Sequence, residues 1–294
     1  MSTFREHRWR SHDGLALYSR VYDSAGSAAP TVVCLPGLTR NCRDFEVLGA
    51  HLAAGYRVVC PDLRGRGYSQ RDPQWRNYHP GTYVADITGL LESLGLTEVE
   101  VIGTSLGGLL AMLLASAEPQ RIAGIVLNDV GPEADPRGLE RIRSYAGKLP
   151  PVRTWDEAIV QCREVNGASL PDVPDAQWPV LARRWYREDA SGTPVLDCDP
   201  MVGEAVRVAS PVPGGLWSVF AQIRAVPMLA IRGELSDILS EAILARMQRE
   251  KPDLQTLIVA RRGHVPLLEE PHVVPVIDRF LGALAPFRAV QSGA

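Results

Sequence analysis

Short β-branched runs alternate with longer helical patterns along this chain, and that alternation constrains the fold more than any other feature. The runs are Thr31 to Leu35, Arg57 to Cys60, Val99 to Ile102, Gly124 to Leu127, Pro227 to Ile231 and Leu254 to Val259. Between them lie helix-like segments at Cys42 to Ala54, Thr82 to Leu94, Leu106 to Ala117, Ser240 to Lys251 and Pro271 to Leu284. Strands that are apolar at nearly every position need both faces covered, and a parallel strand returns only through a crossover long enough to hold a helix. The pattern predicts an α/β fold with a mostly parallel, doubly wound sheet.

Two stretches depart from it. Phe4 to Arg10 and Leu15 to Tyr22 flank Ser11-His12-Asp13-Gly14, an Asp-Gly hairpin signal that predicts an antiparallel edge. From Val130 to Leu216 the alternation stops, and prolines from Pro150 to Pro213 interrupt short helical patterns at Arg137 to Ala146, Thr154 to Val165 and Pro179 to Arg187. This reads as a helical insertion, which divides the chain into a core of residues 1–129 and 217–294 and an insertion of residues 130–216. A short polar tail is expected at Gln291 to Ala294.

The chain has 294 residues and a net charge of −3, with both signs spread along it. A chain this long buries roughly three quarters of its unfolded surface, and there is no broad basic footprint for nucleic acid. Of the 31 basic residues all but Lys148 and Lys251 are Arg. An arginine bias can signal an anionic substrate, but abundant Gly, Pro and Ala fit a coding bias that selects Arg for surface charge. Five cysteines, Cys34, Cys42, Cys60, Cys162 and Cys198, form no C-x-x-C pair and suit a reducing compartment. The charged N-terminus has no signal-like apolar region, and the apolar run Leu106 to Ala117 is too short to span a bilayer. The expectation is a cytoplasmic protein that handles a small molecule, without nucleic-acid or membrane partners, and with a homodimer left open.

Gly103-Thr104-Ser105-Leu106-Gly107 matches G-x-S-x-G between a strand and a helix, the setting in which a serine sits on a sharp, strained turn with its hydroxyl exposed. The helix N-terminus behind it offers backbone N–H groups to a developing oxyanion. With this motif, Leu35-Pro36-Gly37-Leu38 after the first parallel strand, Asp62-Leu63-Arg64-Gly65-Arg66-Gly67-Tyr68-Ser69 after the next, and Gly263-His264 near the end, the sequence resembles the α/β-hydrolase superfamily. The resemblance covers nearly the whole chain, and residues 130–216 match the position of that family's helical cap.

A serine nucleophile needs a base, and the base needs an acid to orient it. In this fold the chain order is Ser, acid, His. Only His264 and His272 follow Ser105, and His264, in a loop after a strand, is the expected base, while His272 is expected to be solvated. For the acid the resemblance favours Asp237, after the strand Pro227 to Ile231. Asp129 is the rival, because some members place the acid after the preceding strand, and Glu234 is a third candidate that would otherwise pair with Arg232. The resemblance assigns the oxyanion hole to the N–H groups of Leu38 and Leu106. Pro36-Gly37 stands where many relatives have His-Gly, which leaves that loop's anchoring open, and the Asp62 to Ser69 motif reads as structural.

The implied chemistry is hydrolysis of a carboxylic ester, lactone or thioester through an acyl-enzyme on Ser105, with no metal or cofactor. C–C hydrolysis of a vinylogous diketone and enol-lactone hydrolysis are alternatives, although Val265 stands where the C–C hydrolases commonly carry Trp after the histidine. A catalytically silent receptor of the same fold is a third possibility. The insertion is expected to set specificity through about two of its aromatic residues, with Trp155, Trp185, Val265 and Arg40 as candidate substrate contacts; Arg40 is also placed to pair with Asp44 at i,i+4 spacing.

Overall fold

The computed structural model describes residues 3–208 and 215–284, so the expected polar tail, Pro211 and Pro213 lie outside it. An eight-stranded sheet organises the chain. Its strands are β1 (Arg5–Arg10), β2 (Ala16–Tyr22), β3 (Thr31–Leu35), β4 (Arg57–Asp62), β5 (Val99–Thr104), β6 (Ile122–Asn128), β9 (Met228–Gly233) and β10 (Gln255–Val259), in the spatial order β1-β2-β4-β3-β5-β6-β9-β10. β7 and β8 lie elsewhere. The first two strands pair antiparallel, and β2 is antiparallel to β4; from β4 to β10 every pairing is parallel.

Alternate side chains of each central strand enter different cores, because successive residues of a strand point to opposite faces. Val33, Leu35, Val101, Ile125 and Leu127 join one cluster with α2 (Pro80–Ser93), α3 (Leu106–Ala117) and α9 (Glu241–Glu250). Val32, Cys34, Ile102, Val126 and Ile231 join the other with α1 (Glu46–Leu52) and α10 (Val274–Ala283). The near-continuous apolar strands are therefore explained by burial on both sides. All five cysteines are free and buried, acting as small core hydrophobes.

Between β6 and β9 the chain leaves the sheet. It forms α4 (Pro136–Tyr145), α5 (Trp155–Asn166), α6 (Trp178–Trp185), the hairpin β7 (Tyr186–Glu188) and β8 (Pro194–Leu196), α7 (Met201–Val208) and α8 (Trp217–Gln222). Ala158, Cys162, Trp178, Leu181 and Trp185 build a core here that is separate from the two sheet faces. Trp217 and Phe220 of α8 rejoin the first sheet face. The hairpin is absent from the sequence reading: the helix expected through Arg187 stops at Trp185, because Tyr186 and Arg187 pair with Leu196 and Val195.

Among the described residues no helix is long and apolar enough to cross a membrane.

Candidate functional site

Ser105 follows β5 directly and opens α3. Its backbone is held at φ 53° and ψ −115°, a left-handed conformation that costs a non-glycine residue of order 1–3 kcal/mol. The turn is this tight because its neighbours carry no side chains. A Cβ on Gly107 would overlap the Leu35 carbonyl, and one on Gly103 would overlap the backbone of Gly107 and Gly108. The Ser105 hydroxyl does not cap the helix behind it. It meets His264 Nε2 at 2.8 Å instead.

His264 lies on the loop after β10, and its Nδ1 is 2.8 Å from Asp129 Oδ2. Asp129 is fully buried just past the end of β6 and also has a positive φ of 57°. Its Oδ1 accepts the Gly233 N–H at 2.8 Å, and its Oδ2 accepts the Ser236 hydroxyl at 2.6 Å. The Gly233 N–H on Oδ1 and the Ser236 hydroxyl on Oδ2 thus fix the orientation of the carboxylate, and Oδ2 also meets the imidazole. Parallel register explains its position. Thr104 pairs with Asn128 and Asn128 with Ile231, so the residue after β6 falls between the Ser105 turn and the end of β9.

The acid favoured by the sequence is therefore corrected: the carboxylate that meets His264 is Asp129, not Asp237. Asp237 is held by Arg141 of α4, whose Nε donates to Oδ2 at 2.5 Å and whose Nη2 donates to Oδ1 at 2.8 Å. Burial pushes the Asp237 carboxyl up, but the guanidinium outweighs it and the net shift is downward. Ser236 takes the contact with Asp129. Glu234 accepts the Arg261 N–H at 2.8 Å rather than pairing with Arg232. His272 is exposed, as expected.

The loop after β3 runs beside Ser105. A Cβ on Gly37 would lie 3.8 Å from Ser105 Cβ. Among the described residues the N–H groups of Leu38 and Leu106 have no acceptor. The anchor of this loop is Arg66, buried within the Asp62 to Ser69 motif. Its Nε donates to the Leu38 carbonyl at 2.9 Å, while Nη1 donates to the Arg64 carbonyl at 2.6 Å and to Tyr83 Oη at 2.9 Å. The motif that reads as structural thus ties down the loop beside Ser105.

Three recesses share lining residues with one another, and the first is walled by Thr104, next to the serine in the chain. A small one, about 20 Å³, is bounded by Thr104, Val265, Arg40 and Trp185. A second, about 40 Å³, lies across Arg40 and Trp185, with Tyr145 and Tyr186 in its wall. A third, about 330 Å³, extends beyond it within the insertion. Of the candidate contacts, Val265, Trp185 and Arg40 line these spaces. Arg40 is also engaged: its guanidinium stacks 3.5 Å from the centre of the Trp185 ring, donates to Asn166 Oδ1 at 2.9 Å and lies 3.7 Å from Asp44. Burial pushes the Asp44 carboxyl up against the pull of that charge. Trp155 does not line these recesses: its indole donates to Glu188 at 2.8 Å and lies beneath the Arg183 guanidinium.

His12, Asp13 and Asp86 lie close enough to share a metal ion. The Arg64 guanidinium already binds both carboxylates.

Comparison with known proteins agrees with the fold. A family model for the alpha/beta hydrolase fold matches residues 30–172. A 3-hydroxybutyrate-oligomer hydrolase of Cupriavidus necator is 32% identical over 275 residues, spanning 90% of this chain and 93% of that protein. A 2-(acetamidomethylene)succinate hydrolase of Mesorhizobium japonicum is 26% identical over 242 residues, spanning 81% and 82%. The crystal structure of an α/β hydrolase from Novosphingobium aromaticivorans superposes with a TM-score of 0.89 at 43% identity, covering 96% of this chain and 99% of that one. The chain belongs to the α/β-hydrolase superfamily, and the relatives named here are hydrolases.

Proposed function

We propose that the protein is a serine hydrolase that cleaves a carboxylic ester of a small aliphatic molecule, with residues 130–216 as its cap. The observation that carries this reading is the unbroken path from Ser105 Oγ through His264 to the buried Asp129, with both contacts at 2.8 Å. Ser105 attacks the ester carbonyl as His264 Nε2 takes its proton, and the Leu38 and Leu106 N–H groups receive the oxyanion. The Asp129 carboxylate stabilises the imidazolium and holds Nδ1 protonated. The imidazolium then protonates the leaving alcohol, and a water activated by the same imidazole releases the acyl group. The relative that acts on 3-hydroxybutyrate oligomers supports an ester as the bond cleaved.

A fluorophosphonate probe is expected to label Ser105 in the native protein and not in Ser105→Ala, with matching gain and loss of p-nitrophenyl butyrate hydrolysis. Intact, folded protein that neither takes up the probe nor turns over the ester overturns the proposal.

The same reading assigns Arg66 a positioning role. Arg66→Met removes the donor to Leu38 and leaves that carbonyl without its partner. The expected result is a fall in kcat of about 10- to 100-fold, somewhat below the loss of a whole oxyanion donor, with KM changed less. A matched loss of folded protein at the assay temperature, measured by circular dichroism, would reduce Arg66 to a purely structural residue.

A further inference from the structure

The largest of the three recesses has no role in the chemistry just described, yet it shares lining residues with its neighbour. Thr39, Leu149, Tyr186 and Leu196 line both it and the recess that reaches Arg40 and Trp185, which in turn bound the space beside Thr104 and Val265. Shared lining residues thus link Thr104 and Val265, the chain neighbours of Ser105 and His264, to a cavity of about 330 Å³. Its lining is largely aliphatic, with prolines, Val195 and Leu196 facing the space. Its polar members are mostly committed. Gln161 bonds to the Tyr186 hydroxyl at 2.6 Å and to the Pro150 carbonyl at 3.0 Å, and Asp199 accepts from Tyr78 at 2.7 Å and from the Met201 N–H at 3.0 Å. Arg71 differs. It is exposed at this wall and makes no hydrogen bond or ion pair with any described residue. In an insertion that carries more acidic than basic side chains, an aliphatic cavity beside a free guanidinium is complementary to an aliphatic chain ending in an anion.

We propose that this cavity holds the distal part of the substrate and that Arg71 binds a carboxylate at its end. The preferred substrate is then an aliphatic ester bearing a terminal carboxylate, such as a linear oligoester of a hydroxy acid. This rests on the ester-hydrolase reading of Ser105. Arg40 cannot take the same role without giving up Asn166 and its stack on Trp185, whereas Arg71 has no such partner among the described residues.

The test compares the linear trimer of 3-hydroxybutyrate with its methyl ester, in which the terminal carboxylate is replaced by a neutral group, and follows cleavage of the internal ester bonds by product analysis. In Arg71→Gln the KM for the acid is expected to rise roughly three- to tenfold relative to that for the methyl ester, the range for an ion pair at a partly exposed site. The kcat values stay together, and Arg71→Lys recovers most of the difference. Val195→Trp, which fills the cavity, is expected to raise KM for both trimers relative to p-nitrophenyl butyrate. An Arg71→Gln effect equal on acid and methyl ester, or absent from both, overturns the carboxylate assignment. An unchanged trimer preference in Val195→Trp overturns the cavity assignment. Absence of fluorophosphonate labelling and of p-nitrophenyl butyrate turnover in the parent protein instead overturns the hydrolase reading, and this inference with it.

Discussion

Asp129→Asn is expected to lower kcat/KM by about 10⁴-fold, while Asp237→Asn stays within about threefold of the parent. The first effect is a matter of tautomer. A carboxylate at this position accepts the His264 Nδ1 proton and leaves Nε2 free to take the proton of Ser105; an amide can turn its NH₂ toward Nδ1, which places the ring proton on Nε2 and removes the base. Kinetics on p-nitrophenyl butyrate together with thermal melts separate this from misfolding, because the Asn side chain keeps an acceptor for the Gly233 N–H. The Asp237 variant loses only a partly exposed pair with Arg141, worth up to about 1 kcal/mol. A larger activity loss in Asp237→Asn than in Asp129→Asn would refute the assignment of the acid.

Removing the Arg64 side chain should have the largest effect on stability. Its guanidinium is completely buried and bonds to Asp86 through Nε at 2.7 Å and Nη2 at 2.6 Å, to Asp72 through Nη1 at 2.6 Å, and to Asp13 at 2.8 and 3.1 Å. Arg64→Leu strands buried carboxylates without a counter-charge, which costs about 3–5 kcal/mol at neutral pH and lowers Tm by roughly 5–15 °C. The pH dependence carries the sign. The bond from Arg64, the largest cause, brings the Asp13 carboxyl down to about 2, so its share of stability is present above the ordinary carboxylate pKa and is lost as pH falls through that range toward 2. Burial, the largest cause at Asp86, pushes that carboxyl up, and Arg64 is the main group that pulls it back. Without Arg64, Asp86 favours its protonated form in the folded state, so the deficit of the variant grows as pH rises and shrinks toward acid pH. A variant with the parent's Tm and pH profile would show that this cluster carries little of the fold.

The sheet and the serine were legible in the sequence for a local reason. Burial of a parallel strand on both faces leaves a continuous apolar run, and Thr31–Leu35 and Leu106–Ala117 appear with the limits read from the residues alone. Gly103 and Gly107 mark the turn between strand and helix because the close backbone approaches there leave no room for a Cβ. His264 was found by elimination, since one other histidine follows the serine.

The acid depended on facts that no local pattern carries. Asp129 and Asp237 each follow a parallel strand, and both are carboxylates in turns. The register of β6 between β5 and β9 brings the first to the imidazole, and Arg141, 96 positions away along the chain, removes the second. The cue available for Asp129 was its position at the end of the strand that follows the serine, and that does not rank it above Asp237 without the strand order. Trp155 and Trp185 show the same division within the insertion: both are tryptophans on helical patterns, yet one caps an exposed polar cluster and the other stacks on Arg40 beside the site.

By itself the sequence determined the layers of this protein and singled out Ser105 and His264, because periodicity, turn chemistry and residue type act over a few neighbouring positions. Tertiary structure alone decided which carboxylate meets the histidine, which arginine holds the loop after β3 and which is left free among the described residues at the end of the cavity. Those outcomes depend on pairings between segments distant along the chain, where a buried charge goes to whichever partner the fold brings within hydrogen-bond reach.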